Sequence, residues 1–258
     1  MLTAGVDLAA EPAGTAIALI GWDSSGARLR EVIHPAGDDA VVKAVVQAGK
    51  TGIDCPLGWP DEFVAFVGAH RSGPAPGAEV ITDRAWRRRL AWRHTDEVVR
   101  EQTGLIPLSV SADRIGHTAM RCAAVQAQLA RADRPVDRSG RGPVAEVYPA
   151  ASLKVWGMPW SGYKTPKNRA ALGAIVDHLG RLAPGLELGV HEELCRRSDH
   201  VLDAVIAALT ARAVALGHAS QPGDKELATA RTEGWIAIPT APLKAFAPAA
   251  TGSYHRRS

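Results

Sequence analysis

The chain has 258 residues, 46% of them hydrophobic and 22% charged, with a formal net charge of +3. It is too apolar to be a disordered protein and long enough to bury a large core, so one domain over residues 1–258 is expected. The near-neutral balance also excludes a chain that binds nucleic acid by overall charge alone, so any basic surface must be local.

Two short β-type runs, Leu2 to Ala9 and Thr15 to Trp22, are joined by the turn-forming residues 10–14 and read as an antiparallel hairpin. Ala27 to His34 suits a third strand. Asp38 and Asp39 precede an apolar pattern over 40–46 that predicts a helix with Asp at its cap. Thr51 to Asp54 is a short strand stopped by Cys55-Pro56, so the first 60 residues read β-β-β-α-β with carboxylates at two strand ends. Residues from about 61 to 142 read as a helical insertion, with one helix around Phe63, Phe66 and Val67 and another over Ile115 to Ala132; residues 71–77 and 133–143 read as loops. Val144 to Tyr148 returns to strand character, Lys167 to Leu182 has helical spacing, and Ser198 to Leu216 is the clearest helix, with Val201, Leu202, Val205, Ile206 and Leu209 at helical steps. A final strand is expected over Gly234 to Pro239, before an irregular tail from about 240 to 258.

Asp7, Asp54 and Glu146 each follow an apolar β-type run, while Asp199 and Asp203 are spaced i, i+4 and share one face of the last strong helix. Converging carboxylates are what a hard divalent cation such as Mg2+ or Mn2+ requires, and such ions can activate water and stabilise the leaving oxygen of a phosphodiester. Asp7, Asp54, Glu146 and Asp203 are therefore the candidate catalytic residues, and Asp7, Asp54, Asp199 and Asp203 the candidate metal ligands. Asp199 also suits the positive end of its helix, and Glu146 could be a solvated strand residue.

Between Arg84 and Arg100, arginines interleave with Trp86 and Trp92, a pattern suited to phosphate contact and base stacking or to a solvated helix anchored by its tryptophans. If the run is one helix, Arg89, Arg93, Asp96 and Arg100 share a face. Arg87, Arg93, Asp96 and Arg100 are candidate substrate-binding residues, together with Tyr148 and Lys164 from a third group that includes Tyr163 and Lys167. Cys55, Cys122 and Cys195 lack C-x-x-C spacing, which argues against a disulfide framework and a zinc site and predicts reduced, buried thiols. No G-x-S-x-G elbow, P-loop or dinucleotide fingerprint occurs. No apolar run reaches the roughly 18 residues that span a bilayer, and no export signal opens the chain, so a cytoplasmic protein without a membrane role is expected.

Several strings resemble the family of predicted nucleases known as domain of unknown function 429. They are Gly5-Val6-Asp7-Leu8-Ala9 with Gly14-Thr15, the run from Ile53 to Pro60, Arg93-His94-Thr95-Asp96, Glu146-Val147-Tyr148-Pro149-Ala150, Tyr163-Lys164, Asp203-Ala204, and Glu233-Gly234-Trp235-Ile236. The resemblance implies a ribonuclease-H-like α/β fold, a five-stranded mixed sheet flanked by helices, with Mg2+ or Mn2+ held at the positions of Asp7, Asp54 and Asp203 and with Asp199 a possible fourth. It implies a hydrolase, a nuclease acting on nucleic acid or a nucleotide. Two other readings stay open: an ATP-dependent phosphotransferase of the actin-like or sugar kinase type, and a non-catalytic module that binds nucleic acid or protein.

Overall fold

A computed structural model describes residues 1–24, 26–73, 83–164 and 169–246. Seven strands form one mixed sheet: β1 (Leu2–Asp7), β2 (Ala16–Asp23), β3 (Gly26–Ile33), β4 (Lys50–Asp54), β5 (Val144–Val147), β6 (Leu186–Glu187) and β7 (Ile236–Ala237). Their spatial order is β6-β3-β2-β1-β4-β5-β7. The sheet thus has seven strands where five were expected. The additional pair are two-residue edge strands: β6, parallel beside β3, is too short for side-chain alternation to announce it, whereas β7, parallel beside β5, is the final strand expected from the sequence. Of the strand expected over Gly234 to Pro239, only Ile236 and Ala237 join the ladder.

Ten helices occur among the described residues. They are α1 (Asp38–Gln47), α2 (Asp61–Ser72), α3 (Arg84–Ala91), α4 (His94–Thr103), α5 (Ile115–Arg131), α6 (Pro149–Val155), α7 (Arg169–Leu182), α8 (Glu192–Cys195), α9 (Asp199–Ala215) and α10 (Leu227–Glu233). Asp38 and Asp39 lie in the first turn of α1 rather than at its cap, which is Gly37; they favour the positive helix end without capping it. The Ser198 hydroxyl does cap α9, accepting from Val201 N. Lys167, the tail beyond residue 246 and residues 74–77 of the expected 71–77 loop lie outside the described residues.

Strand β1 is central, antiparallel to β2 and parallel to β4. Alternation divides its side chains between two cores. Ala4, Val6 and Leu8 join Ile17, Leu19, Ile53, Val41, Val45, Val125 and Leu129 beneath α1 and α5. On the other face, Ala18, Ile20 and Trp22 pack with α7 and α9 through Leu172, Ile175, Leu202, Val205 and Leu209. Helix α9 is buried on nearly every side, as an apolar helix between a sheet and further helices must be. Cys55, Cys122 and Cys195 are all buried and unpaired in disulfides, as the sequence suggests. Among the described residues no helix is long and apolar enough to cross a membrane.

Candidate metal centre

Strands β1 and β4 run in parallel register, pairing Gly5 with Gly52 and Asp7 with Asp54. Because side chains two apart share a face, each glycine lies on the same side of the sheet as the aspartate that follows it. That side carries α9. A Cβ added at Gly5 would come within 1.9 Å of Ala204 O, and one at Gly52 within 2.5 Å of Ala207 O. The missing side chains therefore let α9 lie directly on the two strands. Asp203, immediately before Ala204, is thereby lowered onto the strand ends. Ligand oxygens of Asp7, Asp54 and Asp203 all lie within 4.8 Å of one another.

Asp203 is 1% exposed. Tyr163 OH donates to its Oδ1 at 2.8 Å, and Lys164 Nζ lies 2.6 Å from Oδ2 as an ion pair. Burial, joined by the Asp7 charge and resisted by Lys164, pushes the Asp203 carboxyl up to about 6. Burial acts in the same direction on Asp54, raising it well above the usual carboxylate range; Lys164 opposes this, and Asp7 and Asp203 add to it. Lys164 is half exposed along its side chain. Desolvation works against its charge, but Asp203, Asp54 and Asp7 overcome this and hold its ammonium above the usual lysine value. Tyr163 is likewise raised, first by burial and then by Asp203.

These features suit a cation. Three carboxylates converge from two strands and a helix, and their mutual repulsion is offset by the Lys164 ammonium on Asp203 and by the His200 imidazole on Asp7. Asp199 is not in the group. It shares a face with Asp203 but lies four residues nearer the start of α9, about 6 Å along the axis.

His200, on that same first turn, is a residue the sequence reading did not single out. Its Nδ1 lies 2.7 Å from Asp7 Oδ2, and this hydrogen bond, against some desolvation, raises the imidazole above its usual value. A histidine in an apolar-periodic helix carries no spacing signal, and only the register that brings Asp7 to α9 shows its role. Tyr148 and Lys164 line a groove of about 460 Å³ with Asp54 and Tyr163, so both candidates do border the cluster.

Glu146, Arg93 and Asp96 form a different unit. Glu146 is in register with Ile53, so the pleat turns it to the face opposite Asp54. It is 2% exposed rather than solvated. Arg93 uses all five guanidinium donors: Nε to Asp96 Oδ2 (3.2 Å), Nη1 to Glu146 Oε2 (2.8 Å) and Glu233 O (3.1 Å), and Nη2 to Asp96 Oδ1 (2.9 Å) and Glu146 Oε1 (2.6 Å). Burial works against the Arg93 charge, yet Glu146 and Asp96 hold it above its usual value. Leu57 N also donates to Glu146 Oε2. This knot fastens α4 and the residues after β4 to β5. It has no donor left for a phosphate.

The arginine run is not one helix. It breaks at Trp92 and Arg93, where the Asp96 carboxylate accepts from Arg93 N and starts α4 anew, so Arg89, Arg93, Asp96 and Arg100 do not share a face. Arg88 and Arg100 both bond Glu97, and Arg89 bonds Glu62. Arg87 stands on α3, away from the aspartates in sequence and engaged in contacts of its own. Trp86 meets Phe66 edge to face, and Trp92 Nε1 donates to Pro107 O.

Compared with known proteins, residues 5–227 match the family described as protein of unknown function (DUF429). Neither the curated proteins nor the solved structures give a match.

Proposed function

Because the chain belongs to the DUF429 family, whose description assigns no activity, we propose from the site itself that it is a divalent-metal-dependent phosphodiester hydrolase, a nuclease in the broad sense. The observation that carries this reading is the convergence of Asp7, Asp54 and Asp203 within 4.8 Å. The inner strand order β3-β2-β1-β4-β5, with carboxylates closing β1 and β4 and a third on a late helix, supports a ribonuclease-H-like assignment.

Mg2+ or Mn2+, when bound, supplies charge neutralisation for a phosphate and an acidified water. Asp7, Asp54 and Asp203 are the residues that hold it. Tyr163 fixes the Asp203 carboxylate through Oδ1. Lys164 balances the cluster in the absence of an ion and, being half exposed, is free to turn toward a phosphate in the groove. His200, held through Nδ1 by Asp7, keeps Nε2 available to take or give a proton. Glu146 supports the site from behind, through Arg93.

A phosphotransferase of the actin-like or sugar kinase type needs a phosphate loop, which Asp7 with Gly14-Thr15 only faintly resembles. The Thr15 hydroxyl is engaged by Ala9 N, Arg121 Nη1 and Glu11 O, which favours the hydrolase over that alternative.

Titration calorimetry with Mn2+, beside a gel assay on single-stranded, duplex and hybrid substrates, tests the proposal. Metal binding and cleavage lost together in Asp7→Asn are expected. A wild-type protein that binds no Mn2+ and shows no metal-dependent cleavage would sink it.

A further inference from the structure

The groove beside the aspartates has a wall that metal chemistry does not explain. Ile106 and Leu108 line it while 62% and 46% exposed, and Trp160 lines it at 37%. Large aliphatic groups left open to water on a loose loop would mean little, but this loop is fastened. Trp92 Nε1 bonds Pro107 O, Ser109 Oγ bonds Ala91 O, and Asp113 Oδ2 accepts from Ser109 N. The Trp160 ring lies 4.6 Å from Lys154 Nζ. Arg114 also lines the groove. At about 460 Å³ the groove holds a small ligand, and its polar lining includes Asp54, Lys164, Tyr148 and Tyr163 besides the self-paired Arg93 and Glu146.

An apolar, aromatic slot bordered by cations and a carboxylate cluster matches one chemical shape: a flat base joined through a sugar to a phosphate. Resting on the phosphodiester reading above, we propose that the groove is a nucleobase subsite. It takes one unpaired nucleotide, with the base against Trp160, Ile106 and Leu108 and the phosphate toward Lys164 and the aspartates. The substrate class is then single-stranded nucleic acid or a nucleotide ester, not a continuous duplex, whose stacked bases cannot enter.

Adenosine 5′-monophosphate and ribose 5-phosphate, neither a phosphodiester, are titrated into the full chain with and without Mn2+. The base is expected to tighten binding by about 10-fold or more, within the range of base–aromatic stacking. Trp160→Ala and Leu108→Glu, both at exposed positions, are each expected to reduce adenosine monophosphate to the ribose phosphate level while Mn2+ binding stays unchanged. A blunt hairpin without unpaired residues is expected to compete poorly. Equal affinity for the two phosphates, a preference for the base that survives both substitutions, or full competition by the hairpin would each overturn the subsite. A preference for the base without any Mn2+ binding would keep the subsite and remove the metal reading instead.

Discussion

Arg93 and Glu146 face each other through two parallel hydrogen bonds of 2.6 and 2.8 Å, and both side chains are almost wholly removed from solvent. A buried pair of this kind penalises the loss of one partner more than the loss of both, because the survivor is left charged and unpaired. Arg93→Met is expected to cost about 3–5 kcal/mol in urea unfolding. In Arg93→Met/Glu146→Leu part of that loss should return, although Asp96 still loses its partner. A double variant no more stable than the single would contradict the pairing as described.

The glycine floor under α9 gives a sharper test. Gly5→Ala must push Ala204 and with it Asp203 away, since the new Cβ meets backbone atoms at 1.9 and 2.2 Å. Loss of several degrees in melting temperature and at least about 10-fold in Mn2+ affinity is expected, as outlying supports of metal ligands commonly show. Gly68→Ala, within α2 and with nothing within 4 Å of its added Cβ, should lower neither the melting temperature nor the Mn2+ affinity.

The strands other than β6, the main helices and the identity of the three aspartates were legible in the sequence, because Asp7 and Asp54 end apolar runs and Asp203 interrupts an apolar helix where a buried charge demands a reason. The destination of Glu146 was not. Which face a strand-end carboxylate meets depends on register with a strand ninety residues away, and Arg93 supplies its partner from a different segment altogether. The arginine run looked like a surface because composition cannot show that Glu97, Glu62 and Asp96 take up its charges. His200 was hidden for the same reason.

The pH response follows from Asp203. Its carboxyl lies at about 6 in the folded, metal-free chain, above an unfolded value near ~3.9. The folded state therefore binds the proton more tightly, so this group's contribution to stability falls as pH rises from about 4 to about 6 and its penalty is complete above that. Asp203→Asn should raise the metal-free melting temperature at pH 7.5 relative to wild type while abolishing stabilisation by Mn2+. Proton and metal compete for the same oxygens, so wild-type Mn2+ affinity should drop on acidification below about pH 6. Melting curves at pH 5 and 7.5, with and without Mn2+, read both effects; a metal response that does not change between them would refute the competition.

Tyr163→Phe removes one donor to Asp203 without emptying the space its ring fills. Mn2+ affinity is expected to fall about 10-fold with little change in unfolding midpoint. A large loss of stability with unchanged affinity would make the tyrosine a packing residue only. Comparing the two readouts in the same preparation separates these cases.

Glu233 accepts from Asp61 N and from His94 N, so the first turn of α2 and the first turn of α4 are clipped to a single carboxylate. Both ends of the stretch between them are thus pinned at one point on the body of the protein. Its length and sequence can drift, or a foreign segment can be spliced into it, without the displacement being transmitted to the strands that carry Asp7 and Asp54.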